Sequence, residues 1–364
     1  MDSYRNRLEE VQLRMRGEGI DYLLIAPSAN LLYLTGIEEQ ITERLTLLAI
    51  PASGRSTFLL PAFEAARFAN HQELFDLRAW EETDDPYKAL KAIFDPVPPT
   101  TVGVEDTCWA RFLLGLQEVL PTSRFVTAGA VLHPLRERKR PEELDRLRAV
   151  SRSADEAFTR LISSELVGLS ELEVSRRLAD LLLESGSETV GFATVASGPH
   201  SASPHHTMGD RRISKGDALL FDFGGRIGGY YADVTRTVAV GELPEGFEEV
   251  YGIVREAQQA AVERVEPGVA AGEVDAAARE VIAGAGYGEH FSHRVGHGVG
   301  LEIHEPPYLR GDSDQPLEPG MTFSVEPGIY LPGHFGVRIE DTVLVTREGG
   351  ERLNHCSREL VILP

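Results

Sequence analysis

Two aspartates eleven residues apart, Asp222 and Asp233, flank the glycine-rich run FDFGGRIGGYYADVTRT, and this segment constrains the fold more than any other. Apolar and β-branched residues on both sides of Gly-Gly-Arg-Ile-Gly-Gly read as a β-hairpin. An axis midway between the aspartates, between Ile227 and Gly228, sets their carboxylates directly across from each other. Cβ atoms at such positions are roughly 4.5–5.5 Å apart, and like charges there destabilise the sheet unless a cation lies between them. An isolated aspartate beside a turn is ordinarily a solvated cap. Here the flanks, Ala218 to Phe221 and Phe223, describe a buried strand in which an unpartnered carboxylate is costly. The pair therefore implies a metal.

The device recurs in FSVEPGIYLPGHFGVRIEDTV, where Glu326 and Glu340 stand symmetrically about Gly333. Between the two hairpins, FSHRVGHGVGLEIHEPP supplies His293, His297 and His304. Four carboxylates balance the charge of two divalent ions. Such ions, about 3.5–4 Å apart, clamp an attacking oxygen in hydrolases, so water activation is the expected chemistry.

These blocks, FDFG followed by ADVTRT, then GHGVGLEIHEPP, VEPGIY and GVRIED, resemble in order and spacing the signature of the creatinase and aminopeptidase "pita-bread" metallopeptidases. The N-terminal stretch YRNRLEEVQLRMRGEGIDYLLIAPSANLLYLTG is similar to the creatinase-type N-terminal domain of prolidases and aminopeptidases P. Nearly the whole chain is covered. The resemblance implies an α+β catalytic domain of pita-bread fold, preceded by a smaller mixed-sheet α/β domain.

It also implies roles for single residues. His297 becomes the fifth metal ligand beside Asp222, Asp233, Glu326 and Glu340, with Glu326 doubling as the proton shuttle. His304 and His205 match active-site histidines that contact the reacting peptide, and His293 matches a substrate-pocket histidine of proline-specific members. Arg338 suits bidentate pairing with a metal-site carboxylate, and Thr235 is placed to orient its neighbour Asp233. His200 and His206 match no family role and read as inert. Mixed carboxylate and imidazole ligation suits Mn²⁺, Co²⁺ or Zn²⁺, with Mn²⁺ the first expectation from carboxylate dominance.

At 364 residues two domains are the default. Short helices and strands alternate as far as residue 132, with helix expected over 62–70. The basic, proline-bounded stretch 133–140 reads as a solvated linker, and 141–364 as the catalytic domain. Pro141 opens a long amphipathic helix, and Ser170 with Glu173 forms a capping box for the next. Helices are again expected over 247–265 and 271–284, so two helices with one carboxylate hairpin occur twice, a hint of internal duplication. A net charge of −21 opposes binding to nucleic acid or anionic membrane, and no apolar run is long enough to span a bilayer. With no signal-like apolar region at the start and only Cys108 and Cys356, the simplest location is the cytoplasm, without a disulfide framework.

Three functions fit these residues: an Xaa-Pro dipeptidase using a hydroxide held between two metals, an Xaa-Pro aminopeptidase acting on longer peptides, and a pita-bread binding protein without catalysis. The full ligand set and both histidines favour an exopeptidase. The dipeptidase reading asks for a cation to hold the substrate's terminal carboxylate, yet Tyr308 follows His304-Glu-Pro-Pro where prolidases commonly carry arginine. Arg44, in the N-terminal loop, is the substitute, reaching across a homodimer as the resemblance implies.

Overall fold

The computed structural model describes residues 2–364. The chain divides into two compact units, the first ending at Arg136 and the second running from Glu137 to Pro364.

In the first unit, short apolar runs build strands β1 (Tyr22–Ile25), β2 (Leu47–Pro51), β3 (Ser56–Pro61), β4 (Phe75–Trp80), β5 (Thr101–Val104) and β6 (Arg124–Thr127). They form one sheet in the order β4-β3-β2-β1-β5-β6, parallel at β3-β4, β1-β5 and β5-β6 and antiparallel elsewhere. This is the mixed sheet expected from the sequence. The helix expected over 62–70 is a 3₁₀ segment, Ala62–His71.

The stretch expected to be a linker is largely ordered. Residues 133–136 finish the helix Gly129–Arg136, and the buried Arg136 donates from Nη1 to Asn30 Oδ1 at 2.8 Å. Lys139, which the sequence placed in solvent, is buried and donates to Glu305 Oε1 at 2.9 Å. Its charge has a buried carboxylate partner, which composition along the chain does not reveal.

The second unit opens with the helix Pro141–Ile162, with proline at its first position, where no backbone donor is lost. Ser170 then caps the helix Glu171–Glu184, accepting from the Glu173 amide at 3.2 Å while the Glu173 carboxylate accepts from the Ser170 amide at 2.7 Å. Both helices bury Val150, Phe158, Val174 and Leu178 in a core shared with Phe221, Phe223 and Val234 of the sheet formed by β7 (Thr189–Ser197), β8 (Ala218–Ile227), β9 (Tyr230–Tyr231) and β10 (Val234–Val240).

The helices Phe247–Glu263 and Ala271–Gly284 cover a second core. Its sheet strands are β11 (Gly296–Gly298), β12 (Glu305–Leu309), β13 (Thr322–Val325), β16 (Asp341–Val345) and β17 (Gly350–Arg352), in the order β12-β11-β13-β16-β17. The ribbon of β14 (Gly328–Leu331) with β15 (Phe335–Arg338) continues β13 and β16, and β18 (Ile362–Leu363) edges β10. Two helices over one carboxylate-bearing strand pair thus occur twice. Among the described residues no helix is long and apolar enough to cross a membrane.

Candidate metal centre

The first hairpin differs in register from the sequence expectation. Ile227 pairs with Tyr230, so the turn is Gly228-Gly229, and both have positive φ (55° and 89°), as a two-residue turn matched to strand twist requires. The axis therefore lies one residue further along than a midpoint between the aspartates. Asp222 faces Thr235 rather than Asp233, which sits two residues away just before β10. An even displacement keeps both aspartates on one face, because side chains alternate with period two.

The second pair keeps its expected symmetry. Gly328 pairs with Arg338 and Val325 with Asp341, so Glu326 and Glu340 fall in matching positions about Gly333. The ribbon is interrupted there, and both glutamates lie in the breaks between strands. His297 arrives from β11, which approaches β13 so closely that a Cβ on Gly296 would meet Ser324 O at 1.8 Å. Only glycine permits that approach.

Asp222, Asp233, His297, Glu326 and Glu340 line one cavity of about 640 Å³, together with His205, His293, His304 and Arg338. Single oxygens of Asp233 and Glu340 and a ring nitrogen of His297 lie within 4.8 Å of one another. His297 Nδ1 donates to Gly298 O at 3.2 Å, leaving Nε2 turned to Glu326 Oε1 at 3.2 Å and Asp233 Oδ2 at 3.7 Å. Carbonyl fixing of one ring nitrogen is the usual means of orienting a ligating imidazole.

Burial raises the Asp233 carboxyl well above the usual range; His297 pulls it back, while Asp222 and Glu326 push it further up. Glu340 is likewise raised well above the ordinary value, first by burial and then by Asp233, Glu326 and Asp222. Burial acts in the same direction on Glu326, but hydrogen bonding and charge from His297 prevail and hold it at about 2. Such a donor set, too rich in buried negative charge for its local cations, fits divalent ions.

Arg338 ties the two strand pairs together. Its Nη2 donates to Asp222 Oδ2 at 2.7 Å and its Nε to Thr235 Oγ1 at 3.0 Å, while Thr235 Oγ1 donates to Glu340 Oε2 at 2.6 Å. Thr235 thus acts on Glu340 as well as standing beside Asp233. Arg338 Nη1 also donates to Tyr330 Oη at 3.0 Å, and Tyr330 lies 2.9 Å from His293 Nε2, whose Nδ1 donates to Arg294 O at 2.7 Å. Tyr330 had no role in the sequence reading, although it lies four residues after Glu326 in VEPGIY.

His304 is exposed on the cavity wall, its ring 3.9 Å from that of His297. Partial desolvation of the ring against the cavity wall, then the charge of His297, lowers its pKa to about 4, so it is neutral at physiological pH. His205 is also exposed on that wall. Two cavity cations were missed by sequence reasoning: Arg294, stacked 4.5 Å over Tyr308, and Arg310, whose Nε is 2.7 Å from Asp312 Oδ1. Arg44, in the N-terminal unit, has its guanidinium engaged by Glu82 at 2.6 Å and by Glu43. His200 and His206, read as inert, both contact the buried Glu171.

Four carboxylates and an imidazole are gathered in one cavity on antiparallel sheets, a donor set suited to divalent ions. Residues 145–347 match Metallopeptidase family M24, and residues 7–138 match the Creatinase/Prolidase N-terminal domain. The "Probable dipeptidase PepE" of Mycobacterium tuberculosis is 40% identical, covering 99% of this chain and 97% of its own. The "Xaa-Pro dipeptidase" of Pyrococcus horikoshii is 34% identical over 99% of this chain and 100% of its own. A crystal structure of recombinant prolidase from Thermococcus sibiricus superimposes with a TM-score of 0.94 at 37% identity, covering 99% of both chains. The chain belongs to metallopeptidase family M24, and its catalytic unit has the pita-bread fold.

Proposed function

We propose that this protein is a dimetal Xaa-Pro dipeptidase, with Mn²⁺ as its working ion, acting as a cytoplasmic homodimer. The observation that carries the reading is the convergence of Asp222, Asp233, His297, Glu326 and Glu340 on one cavity, in a chain similar along its whole length to proteins named dipeptidases. Those five side chains would hold the ions. Bound divalent ions supply a water of lowered pKa and polarise the scissile carbonyl.

The chain's own groups do the rest. Glu326, a carboxylate at neutral pH, takes the proton of the attacking water and delivers it to the leaving nitrogen. Neutral His304, and His205 on the same wall, donate hydrogen bonds to the oxygen on which negative charge develops. His293, held between Tyr330 and the Arg294 carbonyl, shapes the wall for the prolyl ring. Arg338 and Thr235 keep Asp222 and Glu340 in position.

A dipeptidase needs a cation for the substrate's terminal carboxylate. Arg294, stacked on Tyr308, lines the cavity and is the first candidate for this role, and Arg310 lines the same cavity. Arg44 is a third candidate, and would have to exchange Glu82 for the substrate. The deciding experiment is cleavage of Ala-Pro, Ala-Pro-Ala and Ala-Ala by the Mn²⁺-loaded enzyme, with Arg294→Ala and Arg44→Ala alongside. Ala-Pro should be cleaved fastest, and the carboxylate-binding arginine is the one whose loss depresses Ala-Pro cleavage far more than Ala-Pro-Ala cleavage. Faster Ala-Pro-Ala turnover by the unmodified enzyme would make it an Xaa-Pro aminopeptidase instead.

A further inference from the structure

Outside the cavity, a second group of ligating side chains surrounds Glu171, the first residue of the helix Glu171–Glu184. Its carboxylate is wholly buried. Oε1 accepts from the Ser197 amide and hydroxyl, both at 2.8 Å, and lies 2.9 Å from His200 Nδ1. Oε2 lies 2.8 Å from His206 Nε2 and accepts from the Gly209 amide at 3.3 Å. The two imidazole rings are 4.4 Å apart. Neither histidine lines the carboxylate-rich cavity, but His205, which does, stands between them in the chain.

We propose that Glu171, His200 and His206 form a separate site for one zinc-class divalent ion. One carboxylate oxygen and two imidazole nitrogens already lie within 4.8 Å of one another. Tetrahedral zinc, with bonds of about 2.0–2.2 Å, spaces its ligand atoms roughly 3.3–3.6 Å apart, so side-chain rotations suffice to close the site. The bonds from Ser197 and Gly209 remain available to orient the carboxylate, as outer partners of metal ligands do. Half-exposed His200 leaves room for water as a fourth ligand.

The donor chemistry separates this site from the cavity. Two imidazoles and one carboxylate favour Zn²⁺ over Mn²⁺, whereas four carboxylates and one imidazole suit Mn²⁺. Occupancy would pin the segment from Ser197 to Gly209, and with it His205, to the start of a helix.

The test uses the full chain carrying Asp233→Ala and Glu340→Ala, so that its metal count is independent of the dipeptidase reading. By equilibrium dialysis and elemental analysis this protein should bind one equivalent of Zn²⁺ and no Mn²⁺. Adding His206→Gln should weaken Zn²⁺ binding at least as much as loss of an outer partner does, about 10–100-fold. His200→Asn, at a half-exposed position, should do the same and serves if the other variant does not fold. In the chain with its cavity intact, His200→Asn should lower the zinc count by one. Absence of Zn²⁺ binding in the cavity-disabled protein, or unchanged affinity in the histidine variants, would overturn the proposal.

Discussion

Glu340 and Asp341 are neighbours in the chain, both buried, yet they belong to opposite kinds of environment. Glu340 turns toward Thr235 and the carboxylates of Asp222, Asp233 and Glu326. Asp341 turns the other way. It accepts from Arg236 Nη2 at 2.6 Å and Gln258 Nε2 at 2.9 Å, with Arg352 Nε 3.2 Å away. Thr235 and Arg236 alternate in the same manner on β10. One face of this strand pair therefore gathers buried negative charge, and the other neutralises a single carboxylate with guanidinium groups. Buried charge alone does not mark a functional site. An uncompensated excess is what sets the first face apart, because its carboxyls must either take up protons or find cations from solution.

The largest effect should come from replacing Glu340 by Ala. Metal content measured by elemental analysis should fall, and peptidase activity should drop by more than the about 10²–10⁴-fold that one positioned proton-transfer group contributes. Thermal stability of the metal-free protein should not fall, since a buried like charge has been removed. A marked loss of stability would erase the distinction between the two faces.

His304→Ala should lower kcat by about 10²–10⁴-fold while leaving metal content unchanged. Loss of metal in that variant would place His304 among the ligands. On the opposite face, Asp341→Ala should destabilise the fold by about 3–5 kcal/mol, because Arg236 is left buried without its carboxylate. The surviving folded molecules should keep their metal and their activity. Chemical denaturation combined with elemental analysis reads both.

The smallest effect concerns a third kind of buried carboxylate. Glu105, in the N-terminal unit, accepts hydrogen bonds from Ser28 Oγ at 2.8 Å and Asn30 Nδ2 at 3.0 Å, and burial raises its pKa despite these donors. Between the unfolded value and the raised folded one, the folded state holds a proton that the unfolded chain has released. Stability contributed here is therefore lost as pH rises through that window. Denaturation midpoints followed between about pH 4 and 8 should lose this slope in Glu105→Gln. An unchanged slope would show that Glu105 takes up no proton on folding, its hydrogen-bond donors and the charge of Arg136 offsetting burial.

Much of the catalytic unit could be read locally. Pro141, the Ser170–Glu173 capping box and the symmetry of Glu326 and Glu340 about Gly333 are set by chemistry within a few residues, and the structure keeps each of them. The first hairpin was legible in kind but not in register, since the glycines that accept positive φ, rather than the aspartates, fix the turn. Lys139 looked like part of a solvated basic stretch because its partner Glu305 lies 166 residues away.

The sequence by itself singled out the candidate groups: four acids by their spacing about two turns, and His297 with the flanking histidines by the resemblance of its motifs. Tertiary structure alone decided what those groups experience. It brought Arg338 to Asp222, Tyr330 to His293 and Arg294 to the cavity, left His297 to hold Glu326 ionised, and joined Glu171 to His200 and His206. The physical reason is range. Backbone propensity and side-chain alternation act over a few residues, whereas desolvation and Coulomb interaction depend on distances that only the packing of distant strands and helices sets.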